Sequence, residues 1–361
     1  MTAIEARFRG TLGRFSFDVA FDAPMRGVTA LFGPSGCGKT TILRCLAGLH
    51  RAEDGRLAID GMVWQDGRRF VAPHRRAIGY VFQEASLFAH LSVAGNLDYG
   101  RRRRRAAIGA TDRDEVVGLL GLEALLDRVP GSLSGGERQR VAIGRALLSG
   151  PEVLLMDEPL AALDRASKAE ILPYLERLNE SLAIPTIYVS HDMAEVERLA
   201  DRMVLMESGR VRAAGPLAEL VADPLLPFAK TPDAAVVIAG TIEAYDPHYM
   251  LTTVAAPGGK LVVPGHIGET GTERRLRIVA SDVALCHAPA PAGTSILNAL
   301  PTRIVAAEPV GEFRMNVFMR LGHGPDGAHL IGRITRKSWD VLGLAVGDEA
   351  VALVKSVALT D

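Results

Sequence analysis

No run of apolar residues in this chain approaches the ~20 needed to cross a bilayer as a helix. The first residues, Met1 to Arg9, also lack the apolar core of a secretion signal. Together these absences predict a soluble chain, though one that can still dock on something in a membrane. Net charge is nearly absent, at −1, which leaves no global electrostatic case for nucleic acid as a partner. Cysteine is scarce. Cys37, Cys45 and Cys286 are scattered, odd in number and without metal-ligand spacing, as expected of reduced thiols in a cytoplasm. There is no long internal repeat and no coiled-coil segment, and no long helical pattern after Pro224.

What remains is an ordinary globular mix, 48% hydrophobic and 23% charged, over 361 residues, enough for two or three domains. Phe15-Ser16-Phe17-Asp18-Val19-Ala20-Phe21 alternates as an antiparallel strand does. Val28 to Phe32 reads as a buried strand, and Ile42, Leu43, Leu46 and Ala47 follow at helical spacing. Val153–Met156 and Thr186–Val189 are further short apolar strands, so strands alternate with helices around a largely parallel sheet. The helical texture at 84–150 suggests an inserted lobe within a first domain at 1–225. Residues 226–293 are expected to be a linker and accessory β region, punctuated by Pro227 and Pro232. Residues 294–361 read as a compact β unit, a small barrel with one short helix at Ser338 to Leu342.

Between the first buried strand and its helix lies Gly33-Pro34-Ser35-Gly36-Cys37-Gly38-Lys39-Thr40-Thr41. It fits the phosphate-loop pattern. Gly33, Gly36 and Gly38 let the backbone curl so that its N–H groups meet phosphate oxygens, and the helix start adds a positive end. Lys39 is expected to reach the β and γ phosphates of ATP, and Thr40 to ligate Mg²⁺. Cys37, inside the loop at a helix N-terminus, is expected to favour thiolate, so that alkylation inhibits hydrolysis and MgATP protects. Asp157 ends the Val153–Met156 run. A buried strand that ends in a carboxylate delivers it to the sheet edge, where Mg²⁺ would sit. Glu158 comes next, placed to polarise an attacking water as a base.

The segment Leu133-Ser134-Gly135-Gly136-Glu137-Arg138-Gln139 resembles the signature loop of ATP-binding-cassette ATPases, and the resemblance extends over residues 1–225. It implies an α/β P-loop NTPase fold, a RecA-like core with an antiparallel β-subdomain and a helical subdomain. It also implies a homodimer with ATP sandwiched between chains, in which Ser134, Gly135 and Gly136 complete the site of the opposite subunit. Gln83, in Val81-Phe82-Gln83-Glu84, matches the family's Q-loop, which senses Mg²⁺, water and the partner. Asp164, in Ala162-Leu163-Asp164, resembles the D-loop. His191, in Val189-Ser190-His191-Asp192, matches the switch histidine that contacts the γ-phosphate. The family stacks an aromatic residue on adenine; Phe15 is the candidate, with Phe17 and Phe21 expected in the core. The arginine run Arg101 to Arg105 reads as a solvated lobe surface, with nucleic-acid or anionic-lipid contact as the alternative.

At the other end, Ser295-Ile296-Leu297-Asn298, Gly332-Arg333-Ile334-Thr335-Arg336-Lys337-Ser338 and Lys355-Ser356-Val357 resemble the small molybdate-binding (Mop/TOBE-like) domain of molybdate-importer ATPases, an all-β OB-like fold. A tetrahedral dianion wants several N–H and O–H donors and an ammonium. Ser295, Thr335, Lys355 and Ser356 offer that set if the barrel brings its ends together. Some relatives place arginine where this chain has Leu297. The resemblance implies ATP and Mg²⁺ as cofactors, and an integral membrane permease as partner. A periplasmic molybdate-binding protein would act indirectly, and the chain would sit at the cytoplasmic face of a bacterial inner membrane. Sulfate or a sugar as cargo, and a barrel that only dimerises, stay open, and tungstate shares the charge and shape of molybdate.

Overall fold

The computed structural model describes residues 3–102, 112–182, 184–324 and 326–359. They gather into two compact units, Met1–Gly215 and Pro216–Asp361.

The first unit opens on an antiparallel hairpin of β1 (Ala3–Leu12) and β2 (Phe15–Pro24). Alternate residues are buried, Ile4, Ala6 and Phe8 on β1 and Phe17, Val19, Phe21 and Ala23 on β2. A strand with one covered face requires that period of two. β3 (Val28–Phe32) then feeds α1 (Lys39–Ala47). β4 (Asp54–Ile59) and β5 (Met62–Gln65) extend the antiparallel part beside β1. β6 (Ile78–Val81) leads into a helical stretch with α2 (Val93–Arg102), α3 (Arg113–Leu119) and α4 (Gly135–Leu147). β7 (Val153–Asp157), α5 (Arg165–Ser181), β8 (Thr186–Ser190), α6 (Met193–Leu199), β9 (Arg202–Glu207) and β10 (Arg210–Pro216) complete the unit. In the arginine run, Arg101 pairs with Asp98 at 3.5 Å, and Arg103 to Arg105 lie outside the described residues.

All ten strands form one sheet in the order β5-β4-β1-β2-β10-β9-β3-β8-β7-β6. β9, β3, β8, β7 and β6 are mutually parallel. Every residue of β7 and β8 is buried, which explains their apolar stretches Val153–Met156 and Ile187–Val189: a central parallel strand is covered on both faces. Register then does the positioning. Phe32 lies opposite Ser190, and Asp157 opposite Val189. The residues that follow β3, β7 and β8 therefore emerge side by side at the carboxyl edge of the sheet.

The second unit takes in residues 216–225, which the sequence places with the first domain. The reason is α7 (Leu217–Val221), whose Leu217, Leu220 and Val221 are buried as it packs on β11 (Ala235–Asp246). β12 (Leu251–Ala256), β13 (Gly259–Pro264) and β14 (Glu273–Val279) follow, then β15 (Val283–Cys286), β16 (Asn298–Val310) and β17 (Arg314–Leu321). β18 (His329–Thr335), α8 (Arg336–Leu342), β19 (Glu349–Val354) and β20 (Ala358–Leu359) end the chain. One sheet runs β13-β12-β11-β14-β20, the other β15-β19-β16-β17-β18.

The two sheets exchange strands. β15 leaves the accessory region to pair with β19, and β20 returns to pair with β14. A single core of buried residues from Ala222 to Val357 joins them. Buried Asn298 stitches the sheets together: its amide donates to Val262 O (2.9 Å), and its carbonyl accepts from Val262 N (2.7 Å). β15 and β18, the edges of the second sheet, pack on each other, which curls that sheet toward a barrel.

Candidate active site

The strand-end row begins at Gly33. The loop from Gly33 turns into α1 at Gly38, whose φ is 106°, a left-handed value that L side chains rarely adopt. A Cβ at Gly38 would stand 2.5 Å from Phe15 Cζ. Phe15 therefore lies against the phosphate loop, half-buried, while Phe17 and Phe21 are in the core.

Lys39 is 4% exposed, and its ammonium donates to Gly33 O (2.8 Å) and Pro34 O (3.1 Å). Its Nζ also lies 3.6 Å from Glu158 Oε1. The other oxygen of Glu158 is 3.1 Å from His191 Nδ1. One carboxylate thus stands between the loop lysine and the histidine, each from a different strand end. Glu158 has φ 45°, an uncommon and strained value for a residue with a side chain. Its N–H donates to Val189 O at 3.1 Å, so the ladder to β8 holds it there.

Beside it, Thr40 Oγ1 donates to Asp157 Oδ1 at 2.8 Å, and Tyr80 donates its phenol to Asp157 Oδ2 at 3.0 Å. Burial, then the neighbouring Asp157 charge, push the Tyr80 phenol well above its usual range, so it stays protonated and a donor. Tyr80 is a site residue that sequence reasoning missed. Its only signal was a tyrosine in the short run Ile78-Gly79-Tyr80-Val81, one strand from β7 and just ahead of Gln83. Gln83 itself is exposed.

Cys37 corrects an expectation. It is buried, and burial pushes its thiol up, outweighing the Lys39 charge and the backbone donors that pull it down. Burial thus favours the protonated thiol over the thiolate.

Ser134 is the N-cap of α4 and makes a reciprocal capping box. Its Oγ accepts from Glu137 N at 3.2 Å, and its N–H donates to Glu137 Oε2 at 2.6 Å. Gly135 packs closely on Leu163, so the Leu133–Gln139 segment abuts Ala162-Leu163-Asp164. Asp164 caps α5 through Ser167 N at 2.8 Å. Among the described residues, no hydrogen bond or ion pair links Ser134, Gly135 or Gly136 to the phosphate loop, Asp157, Glu158 or His191.

The family model of the ABC transporter matches residues 17–161, and that of the TOBE domain matches residues 294–360. The chain is 58% identical over 357 residues to the molybdenum import ATP-binding protein ModC of Rhodobacter capsulatus, covering 99% of this chain and 98% of that one. It is 60% identical over 358 residues to the protein of the same name from Rhodopseudomonas palustris (strain BisB18), covering 99% and 94%. The chain belongs to the family of molybdenum import ATP-binding proteins. Among solved structures, cbiO1 from Clostridium perfringens, described as part of an ABC transporter complex, aligns with a TM-score of 0.53. It is 27% identical and covers 62% of this chain and 91% of its own.

In this ABC ATPase the four oxyanion candidates are only partly gathered. Ser295 precedes β16, and Lys355 and Ser356 follow β19; because Asn298 pairs with Val354, these three flank one ladder end. Thr335 pairs instead with Arg314 at the start of β17. Its hydroxyl caps α8, accepting from Ser338 N at 3.0 Å and sharing a bond with Ser338 Oγ at 2.7 Å. The ATPase has no described helix long and apolar enough to cross a membrane.

Proposed function

We propose that this ATPase energises the import of molybdate through an integral membrane permease, working as a homodimer with ATP sandwiched between the chains. The observation that carries the catalytic reading is the row of Lys39, at the start of the helix that follows β3, with Glu158 and His191 just past the ends of β7 and β8. Donors and a base are there fixed before substrate arrives. The loop N–H groups from Ser35 to Thr41 hold the phosphates, and Lys39 transfers from its carbonyl partners to the β and γ oxygens. Glu158 accepts a proton from the attacking water, and His191 holds the γ-phosphate end. Phe15, lying on the loop, is placed to stack on adenine.

Thr40 and Asp157 present hard oxygens 2.8 Å apart, a pair that suits Mg²⁺. With Gln83 they would hold the ion, which would supply charge neutralisation to the transferring phosphate. Ser134, Gly135 and Gly136 face the partner's nucleotide in this reading. That no bond among the described residues joins them to their own chain's phosphate loop supports it.

Docking on the permease places the ATPase at the cytoplasmic face of the inner membrane, with a periplasmic molybdate-binding protein acting indirectly. The second unit senses cytoplasmic oxyanion, with Ser295, Lys355 and Ser356 as its donors and Thr335 supplied from elsewhere in the assembly. Calorimetric titration of molybdate, tungstate and sulfate into the full chain tests the cargo class. Binding of the first two and not sulfate is expected; sulfate binding alone would reassign the cargo. If molybdate leaves the ATPase rate of the assembled transporter unchanged, feedback by the barrel is wrong.

A further inference from the structure

Behind His191 lies a carboxylate that the reaction does not use. Glu195, near the start of α6, has a side chain only 4% exposed. An unpaired carboxylate there would be costly. Glu195 is instead fully engaged: Tyr188 donates its hydroxyl at 2.9 Å, Ser190 its hydroxyl at 2.8 Å, and Lys168 its ammonium to Oε1 at 2.7 Å. Lys168 also donates to Asp192 Oδ2 at 2.9 Å, and Asp192 N donates to Ser190 Oγ at 3.0 Å. The residues on both sides of His191, Ser190 and Asp192, are therefore tied into one network.

Lys168 comes from a different element. It stands in the first turn of α5, the helix that Asp164 caps, and Lys168 N donates to Asp164 O at 2.9 Å. Its charge pairs with both the Glu195 and the Asp192 carboxylates, and among the described residues it is the cation paired with them. Burial pulls its ammonium down, but the two carboxylates outweigh that and leave it raised, while Lys168 holds Asp192 below the usual carboxylate range against its own burial.

We propose that Lys168 is a positioning residue for hydrolysis: it fastens the helix begun at Asp164 to the loop carrying His191, and so sets the contact of His191 with Glu158. The inference rests on the roles given to Glu158 and His191. Movement of a loop by about 1 Å can cost ~10²-fold in rate. The network holds two flanks of a side chain that is itself half exposed, with no other hydrogen bond described at its ring.

The test is a double-mutant comparison on the full chain, read as single-turnover ATP hydrolysis with nucleotide affinity measured alongside. Lys168→Met is expected to lower the rate at least about tenfold with ATP affinity within about twofold. In a His191→Ala background the same change is expected to cost less than about twofold, because the side chain it positions is gone. A loss of structure would lower both backgrounds by the same factor, and that result overturns the proposal. So does a native rate for Lys168→Met. If Lys168→Met alone does not fold, Lys168→Met with Glu195→Gln, which removes the ammonium and the buried carboxylate and leaves only the more exposed Asp192 charged, takes its place in the same comparison. A near-native rate for His191→Ala would instead sink the reading of His191, and this inference with it.

Discussion

Glu158→Gln separates chemistry from binding in this site. Gln keeps the size and hydrogen-bonding reach of Glu, so the backbone at φ 45°, held by the N–H to Val189 O at 3.1 Å, has no reason to move. The pair of Thr40 and Asp157 at 2.8 Å is untouched. What is lost is the base, and with it the negative charge 3.6 Å from Lys39 Nζ and 3.1 Å from His191 Nδ1. A positioned general base contributes about 10²- to 10⁴-fold, equivalent to about 3–5 kcal/mol of barrier. The expected outcome is a kcat for phosphate release lowered by at least about a hundredfold. ATP affinity should be retained, and an ATP-induced dimer should accumulate by light scattering. Glu158→Gly provides the control. It also removes the base but relieves the left-handed strain, worth about 1 kcal/mol or more, so it should melt higher and remain inactive. A Glu158→Gln chain that hydrolyses ATP within about fivefold of the native rate would refute the assignment of the base.

Arg76, 6% exposed, donates to Val71 O and Cys45 O at 2.9 Å each and to Leu46 O at the end of α1, and it stacks on Trp64 and Phe70. Arg76→Met should destabilise the first unit by about 2–4 kcal/mol, a fall of roughly 5–15 °C in its melting transition. An unchanged transition would mean that the carbonyls find other partners. Gly38→Ala should weaken nucleotide binding, measured by fluorescence titration, at least about tenfold, because the new methyl meets Phe15 in a backbone region costing about 1–3 kcal/mol. Native affinity would show that Phe15 moves aside freely. The raised Cys37 thiol should resist alkylation near neutral pH, with or without MgATP, and react faster only as pH rises past the ordinary thiol range. Half-exposed Cys286 should label first, and fast labelling of Cys37 at pH 7 would contradict the burial argument.

The phosphate loop, Asp157, Glu158 and His191 were legible because each follows a short apolar strand, and strands read well when both faces are covered. Neither their adjacency nor the strain at Glu158 could be read, because register between β3, β7 and β8 is a tertiary fact. Tyr80 and Lys168 escaped for the same reason: their partners lie on other strands or helices. Cys37 was misjudged because a helix N-terminus argues for thiolate, and only the fold shows the burial that wins. In the second unit, β15 pairs with β19 and β20 with β14 across long sequence separations, so a linear division into linker and barrel hid one shared core. The split of Thr335 from Ser295, Lys355 and Ser356 likewise appears only once strand order is known.

Hydrolysis at Glu158 is expected to drive oxyanion import. The most direct measurement is uptake of labelled molybdate by the assembled transporter in liposomes with ATP on the side of this chain. ATP-dependent uptake is expected, suppressed by unlabelled tungstate and abolished by Glu158→Gln. Uptake that persists with Glu158→Gln, or ATP-driven uptake of sulfate or a sugar in place of molybdate, would contradict it.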